Sequence, residues 1–144
     1  MLETVVKPFD LLTTEELYEI LKARAAVFML EQNIICQDMD DVDYRAWHVF
    51  LKDETGILAY LRLYERDADT AQIGRVLTTR RGYGYGRSVM HAGIDAAKTC
   101  LQKENIYIEA QSYAIGFYEK LGFCVTSEEF LDVGIPHVEM QLHL

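Results

Sequence analysis

Residues 80–90 read RRGYGYGRSVM, with glycines and tyrosines alternating between a strand-like run and an amphipathic pattern. This stretch constrains the chain more than any other, because it marks where one strand must stop and one helix must start. Glycine lets a backbone approach a ligand with no Cβ in the way. The first turn of a helix adds unpaired N–H groups and the positive end of its dipole, which together suit a phosphate. A Walker loop requires four residues between its glycines and then Lys-Ser/Thr. Here Gly82 and Gly86 enclose three, and Arg87 stands in the lysine position. A dinucleotide fingerprint requires GxGxxG early in a βαβ unit, whereas this GxGxG comes late, after several strands. Two readings stay open from these residues alone: a phosphate cradle of another kind, and a glycine-rich turn without a ligand. Arg75, Arg80, Arg81 and Arg87 crowd the loop in an otherwise acidic chain and favour the cradle.

Hydrophobic periodicity sorts the rest of the chain into elements. Val5–Phe9 reads as a strand. Thr13 and Glu16 fit a capping box, and Leu17, Ile20, Leu21, Val27 and Phe28 then recur at helical spacing as far as Leu30. Residues 31–45 are irregular and acidic. Trp47–Leu51 and Gly56–Tyr64 form a hairpin around DETG, and Ala71–Thr78 adds another strand. Ser88–Leu101 is helical, Ile106–Ala110 is a strand, and Tyr113–Leu121 is a helix with Gly122 as its C-terminal cap. Phe123–Phe130 and Val138–Leu142 supply the last strands. The order β-α-β-β-β-α-β-α-β-β predicts a single α/β (α+β) domain over residues 1–144, a mixed sheet with helices packed on it.

Half of the 144 residues are hydrophobic, enough for one domain with a core. The net charge of −9 excludes a general nucleic-acid binder, which needs a basic surface. Residues 1–72 carry 7 Lys and Arg against 15 Asp and Glu, and residues 73–144 carry 7 against 8. An anionic ligand therefore belongs to the second half. No apolar run approaches the roughly 20 residues that span a bilayer, so no membrane partner is expected. Cys36, Cys100 and Cys124 lie far apart without CxxC spacing, and the N-terminus does not read as a signal peptide. A reducing, cytoplasmic setting is therefore expected. Cys100 and Cys124 are expected in the core, and Cys36, among acidic neighbours, is not expected to be a nucleophile.

Arg81-x-x-Gly84-x-Gly86 resembles Arg/Gln-x-x-Gly-x-Gly/Ala, the pyrophosphate loop of the GNAT N-acetyltransferases. Gln111-x-x-Ala114-x-x-x-Tyr118-x-x-x-Gly122-Phe123 resembles a second family segment, Asn-x-x-Ala-x-x-x-Tyr-x-x-x-Gly-Phe, with Gln in its first position. Arg24-x-x-Val27-Phe28-x-x-Glu31-Gln32, the DMDD run at 38–41 and Gly134-Ile135-Pro136-His137 resemble the ElaA-type branch. The resemblance covers nearly the whole chain. The connection from Val76 to Arg81 is shorter than is usual in the family, so the passage from strand to loop must be tight.

The resemblance implies a GNAT-like, mostly antiparallel central sheet flanked by helices, with a coenzyme A cleft between the fourth and fifth strands. It implies acetyl-CoA as co-substrate, no metal, and direct transfer of an acyl group from the thioester to an amine. The pyrophosphate would lie on the loop formed by Arg81, Gly82, Tyr83, Gly84, Tyr85, Gly86 and Arg87. The pantetheine arm would run along Val76, Leu77 and Thr78, with Gln111 and Ala114 also against the cofactor. Tyr118 would protonate the departing sulfur, although by spacing alone it also suits a core aromatic beside Ile115 and Leu121. Glu31 and His137 are the further catalytic candidates, and Arg24, Phe28, Asp40 and Arg62 are candidates for the acceptor pocket.

Other residues admit two readings each. Arg24 interrupts an apolar stripe, so it must be paired or line a cleft. Arg24 and Glu31, seven apart, share a face if the helix continues, either facing substrate or as a structural ion pair. His48 reads as an edge residue. His137 alternates with Glu139 and Gln141 and faces solvent unless the GIPH resemblance makes it a site residue. Glu109 relays a proton through water or is a surface carboxylate. Asp38, Asp40, Asp41 and Asp43 lack the glycine and closing glutamate of a calcium loop. They form a solvated loop, or they border the acceptor site and attract a cationic amine. The leading reading is an acetyl-CoA-dependent N-acetyltransferase acting on a small-molecule or exposed protein amine. An acyl-homoserine-lactone synthase-like acyltransferase and a non-catalytic CoA-binding sensor are the alternatives. A homodimer is expected by analogy alone.

Overall fold

Several strand segments are apolar at nearly every position, which suits a sheet covered on both faces. In the computed structural model, which describes all 144 residues, one eight-stranded sheet forms. Its strands are β1 (Glu3–Pro8), β2 (Trp47–Asp53), β3 (Gly56–Glu65), β4 (Thr70–Thr78), β5 (Asn105–Gln111), β6 (Cys124–Val125), β7 (Phe130–Asp132) and β8 (Ile135–His143). They are ordered β1-β2-β3-β4-β5-β8-β6, with β7 also paired to β8. Every pairing is antiparallel except that of β4 with β5. The expected mixed, mostly antiparallel sheet is therefore the one observed.

The strand period of two divides the core between the faces. Val49, Leu51, Leu61, Leu63, Ile106 and Ile108 pack with Val89, Met90 and Ala97 of α2 (Tyr85–Thr99) and Tyr118 of α3 (Ile115–Glu119). On the other face, Val5, Phe50, Tyr60 and Leu77 pack with Ile20 and Ala23 of α1 (Thr14–Arg24) and with Val27. α1 opens on the expected capping box. The Glu16 N–H donates to Thr13 Oγ1 at 3.0 Å, and the Thr13 N–H donates to Glu16 Oε1 at 2.8 Å.

Several boundaries differ from the sequence expectation. α1 does not continue as an α-helix to Leu30 but widens into a π-helical run over Ala25–Glu31. The Gln32 N–H reaches back to the Val27 carbonyl at 2.9 Å, an i→i−5 bond. α2 starts at Tyr85 rather than Ser88, because Gly84, at φ 76°, turns the chain into the helix. α3 is preceded by a 3-10 turn over Ser112–Ala114 and stops at Glu119. The strand expected over 123–130 is two short pieces. Between them Ser127 Oγ takes the Glu139 N–H at 2.9 Å in place of a backbone carbonyl. A turn with φ 50° at Val133 and 75° at Gly134 joins β7 to β8, a conformation suited to tight hairpins. Cys100 and Cys124 are exposed rather than in the core, because one caps the end of α2 and the other lies on the edge strand β6. No helix is long and apolar enough to cross a membrane.

Gly93 sets how closely α2 lies on β3. A Cβ there would come within 2.8 Å of Leu61 Cδ2 and 3.1 Å of Cδ1, and Leu61 is fully buried. Helix propensity alone would make Gly93→Ala stabilising by about 1 kcal/mol, while overpacking a core costs about 1–3 kcal/mol. Gly93→Ala is expected to lower the urea midpoint. A raised midpoint would show that α2 lifts from the sheet without loss.

Candidate active site

β4 and β5 pair only over Thr70–Gln72 and Asn105–Tyr107. Beyond that, Arg62 faces Gly74 and Tyr60 faces Leu77, so Arg75 and Val76 together stand opposite Leu61. Arg75 takes φ 54° at this β-bulge. A bulge bends its strand and raises the local twist, and here β4 parts from β5. The gap is a cavity of about 220 Å³. Gly74, Arg75 and Val76 line it from β4, and Ile108, Glu109 and Gln111 line it from β5. Phe28, Gln32, Ile34, Arg62, Tyr64, Ala114, Tyr118 and His137 complete most of the wall. A wider groove between β1 and α1, lined by Glu15, Glu16, Glu19 and Lys52, holds none of the expected site residues.

The glycine loop follows the free end of β4. Gly82 and Gly84 hold φ 85° and 76°, and nothing lies within 4 Å of where their Cβ atoms would be. Gly86 is different. A Cβ there would meet Thr78 Cγ2 at 3.4 Å and the Phe117 ring at 3.6 Å, so this glycine lets α2 start against β4 and α3. No side chain caps α2, which leaves its first-turn N–H groups for another partner. Tyr83 stacks on Tyr85 with centroids 5.5 Å apart. Arg80 donates to Thr55 Oγ1 at 3.0 Å, and Arg87 is exposed. Open backbone, uncapped N–H groups and adjacent arginines fit a diphosphate.

Tyr118 is buried between Phe117 and Phe123, with ring centroids at 5.1 and 5.9 Å. Burial raises its pKa well above that of an ordinary phenol and keeps the hydroxyl protonated. His137, expected at the surface unless a site residue, is buried. Its Nδ1 lies 2.7 Å from the Ile135 carbonyl, and the ring stacks on Phe130. With Nδ1 donating to that carbonyl, Nε2 is the ring nitrogen left for another partner. Gln111 donates to Gln32 Oε1 at 3.2 Å, bridging β5 to the segment after the π-helical run.

Arg24 and Glu31 do not form the expected pair. Seven residues return to one face in an α-helix, but the wider π turns carry Glu31 away, and Glu31 pairs instead with Arg81 of the glycine loop. Arg24 has no exposed surface. It donates from Nε to Asp38 at 2.9 Å and from Nη1 to Asp43 at 2.7 Å. Arg62 grips Asp40 through both terminal nitrogens at 2.7 and 2.8 Å and reaches Asp43 at 3.2 Å. Arg75 donates to Asp38 at 2.8 Å. Three arginines thus hold three of the four loop aspartates, so the free acidic loop expected from the sequence is largely neutralised. The Arg62 bonds pull the Asp40 carboxyl down to about 2. Burial opposes ionisation of Asp43, yet Arg24 and Arg62 outweigh it and lower its pKa. Arg62 Nε is the one buried side-chain polar atom without a partner.

His48, expected at an edge, is fully buried in this network. Its Nδ1 lies 2.7 Å from Tyr60 Oη and its Nε2 3.0 Å from the Asp43 carbonyl. A carbonyl only accepts, so Nε2 carries the hydrogen and Nδ1 accepts from Tyr60. Burial lowers the His48 pKa.

Of the expected site residues, Tyr118, His137, Phe28, Arg62, Val76, Gln111 and Ala114 therefore meet at one cavity. Arg24, Glu31, Asp40, Leu77 and Thr78 lie outside its wall, as does the whole glycine loop, Arg81, Gly82, Tyr83, Gly84, Tyr85, Gly86 and Arg87. Tyr64, which also lines the cavity, had no signal in the sequence beyond its place in β3, and Tyr107 and Glu139 had none beyond their alternation, because the pairing of β5 with β8 was not readable.

Asp43→Ala, which leaves the buried Arg24 short of a partner, should cost about 3–5 kcal/mol. Denaturant titration checks this, and a loss under 1 kcal/mol would mean that the loop re-pairs. Stability should also fall with pH in two windows. The unfolded chain protonates His48 near its ordinary 6.5 while the folded ring resists, so stability held above that pH is lost as pH falls below it. A second loss, from Asp40 and Asp43, begins near 3.8 and runs towards 2. His48→Gln should flatten the first window in thermal melts and leave the second. An unchanged slope between pH 7 and 5 would remove His48 as its cause.

The acetyltransferase (GNAT) domain model matches residues 15–144. A UPF0039 protein of Schizosaccharomyces pombe is 36% identical, covering 99% of this chain and 98% of the relative. Protein ElaA of Escherichia coli is 31% identical over 90% of this chain and 88% of its own length. Its crystal structure superposes with a TM-score of 0.92 over 99% of this chain and 100% of that one, at 28% identity. The crystal structure of an acyl-CoA N-acyltransferase from Pseudomonas aeruginosa superposes with a TM-score of 0.91 over 99% of both chains, at 31% identity. With an open glycine loop at a helix start, a gap between β4 and β5, and these matches along its length, the chain belongs to the GNAT acetyltransferase family, among the relatives of ElaA.

Proposed function

We propose that the protein is an N-acetyltransferase that uses acetyl-CoA and passes the acetyl group directly to an amine. The observation that carries this reading is the open glycine loop at the end of β4, the same strand whose departure from β5 makes the cavity where the protonated Tyr118 lies. When bound, the cofactor supplies a thioester. Arg81 to Arg87 would hold its pyrophosphate on backbone N–H groups. Val76, Leu77 and Thr78 would hold the pantetheine arm by strand addition, with Gln111 and Ala114 beside it. Tyr118 would protonate the departing sulfur. The unpaired Nε–H of Arg62 suits an oxygen of a bound substrate. Phe28 and His137 line the acceptor side, and the Arg24–Asp43 and Arg62–Asp40 pairs brace it from behind. The cytoplasmic setting expected from the free cysteines accords with this cofactor.

Titration calorimetry with acetyl-CoA, free CoA and NADH tests the reading. Micromolar acetyl-CoA binding and none for NADH are expected. Gly84→Asp should abolish that binding with an unchanged circular dichroism spectrum. Tyr118→Phe should lower kcat by about 100-fold while acetyl-CoA affinity holds. Absence of acetyl-CoA binding in the wild type overturns the reading. Binding without thiol release across an amine panel leaves a CoA-binding module in its place.

A further inference from the structure

Glu109 and Glu139 stand directly opposite each other on the paired strands β5 and β8. Like charges in that register repel. Here a phenol stands between them: Tyr107 Oη lies 2.9 Å from Glu109 Oε2 and 2.9 Å from Glu139 Oε2. The Tyr107 ring is buried, and the Arg66 guanidinium lies 3.6 Å from its centroid while donating to Gln72 at 3.0 Å. A phenol has one hydrogen and two ionised carboxylates offer only acceptors. A proton arriving on either carboxylate supplies the second hydrogen bond and removes the repulsion. The trio thus holds one hydrogen between two carboxylate oxygens and has a place for a second.

Its position links it to the cavity. Glu109 lines the wall, together with Tyr64, Arg62 and His137. Arg62 is 3% exposed and its Nε has no protein partner, an independent sign that this wall receives a polar ligand. The remaining charges nearby are balanced, since Arg24, Arg62 and Arg75 are matched by Asp38, Asp40 and Asp43. Glu109 and Asp132 are the cavity carboxylates that no arginine or lysine holds, and of the two Glu109 is the one that a phenol bridges to a second carboxylate.

We propose that Glu109, backed by Tyr107 and Glu139, takes the proton from the acceptor, and that the acceptor is therefore a basic aliphatic amine arriving as an ammonium ion. This rests on the acetyltransferase reading above. One N–H bond of the ammonium breaks and an O–H bond forms on Glu109. Tyr107 accepts a hydrogen bond from that O–H and passes its own hydrogen towards Glu139, which leads the proton to solvent. The freed nitrogen lone pair then forms the C–N bond to the acyl carbon as the C–S bond breaks. The sulfur takes the Tyr118 proton, and the second surplus proton on nitrogen replaces it. The net products are amide, thiol and one proton.

The test measures thiol release from acetyl-CoA with aliphatic amines (alkylamines, diamines and lysine amide) and with the weakly basic methoxyamine and aniline. The wild type is expected to prefer the aliphatic set. Glu109→Gln should lower kcat/KM for the best aliphatic amine by about 100-fold at pH 7. The deficit should shrink as pH rises towards the amine's own pKa, and the loss with methoxyamine should be small. Tyr107→Phe, which keeps the ring under Arg66, should give a smaller loss of the same pattern. Acetyl-CoA affinity by calorimetry should be unchanged in both, which reports an intact fold. The pH profile is read with the other charged and titratable groups facing Glu109 in mind. These are Tyr64 and Arg62 on β3, Arg66 in the β3–β4 turn, Arg75 on β4, Tyr107 on β5, Tyr118 on α3, Asp132 on β7, and His137 and Glu139 on β8. His137→Gln serves as the comparison and should reduce both amine classes alike. Equal losses for both classes in Glu109→Gln, no loss, or an amine-selective loss in His137→Gln instead would each overturn the proposal. So would a wild type that acts only on the weakly basic amines. A wild type that binds no acetyl-CoA overturns the parent reading and this one together.

Discussion

A parallel strand pair that separates after three residues leaves backbone N–H and C=O groups facing a gap inside the sheet. Such groups require partners, and this constraint shapes the rest of the molecule. The bulge at Arg75 turns β4 away while keeping it paired to β3 as far as Thr78. The same departure carries the chain end of β4 into the glycine loop, and α2 then returns beneath the sheet to cover its apolar face. A ligand able to add as an extended strand would complete the sheet and reach the helix start at once. The site is thus a consequence of how the sheet fails to close.

The two sides of the gap carry opposite electrostatic solutions. On the α1 side, three arginines and three aspartates cancel within a buried network that also holds His48 in one tautomer. Such buried pairs contribute little net stability against apolar alternatives but are costly to break singly. Their effect here is to hold residues 38–43, a segment with little regular structure, against β3 and β4. On the β5–β8 side, two carboxylates share one phenol and have no cationic partner within salt-bridge distance. One wall carries matched charges, and the other carries two carboxylates without a cationic partner.

Much of this was legible residue by residue. Thr13 and Glu16 announced the start of α1, the alternation along Gly56–Tyr64 and Ala71–Thr78 announced central strands, and the glycine run announced the loop ahead of α2. The site was less legible. Arg24 could be seen to need a partner, but the partner expected, Glu31, was wrong, because the α-helical spacing gives way to a π turn. The acidic loop looked free because nothing local shows that Arg62 and Arg75 lie under it. Glu139 carried no signal until β8 was placed beside β5.

The sequence by itself determined the elements, their order, the glycine-rich turn ahead of α2 and the family resemblance. Capping, helical and strand periodicity and glycine conformations are decided among residues a few positions apart. Only the tertiary structure decided which charges meet: Arg81 with Glu31, Arg24 with Asp43, and Glu109 with Glu139. Those pairs are set by strand register, by the π-helical run and by the bulge at Arg75, which bring distant positions within hydrogen-bonding distance and leave no trace in the spacing along the chain.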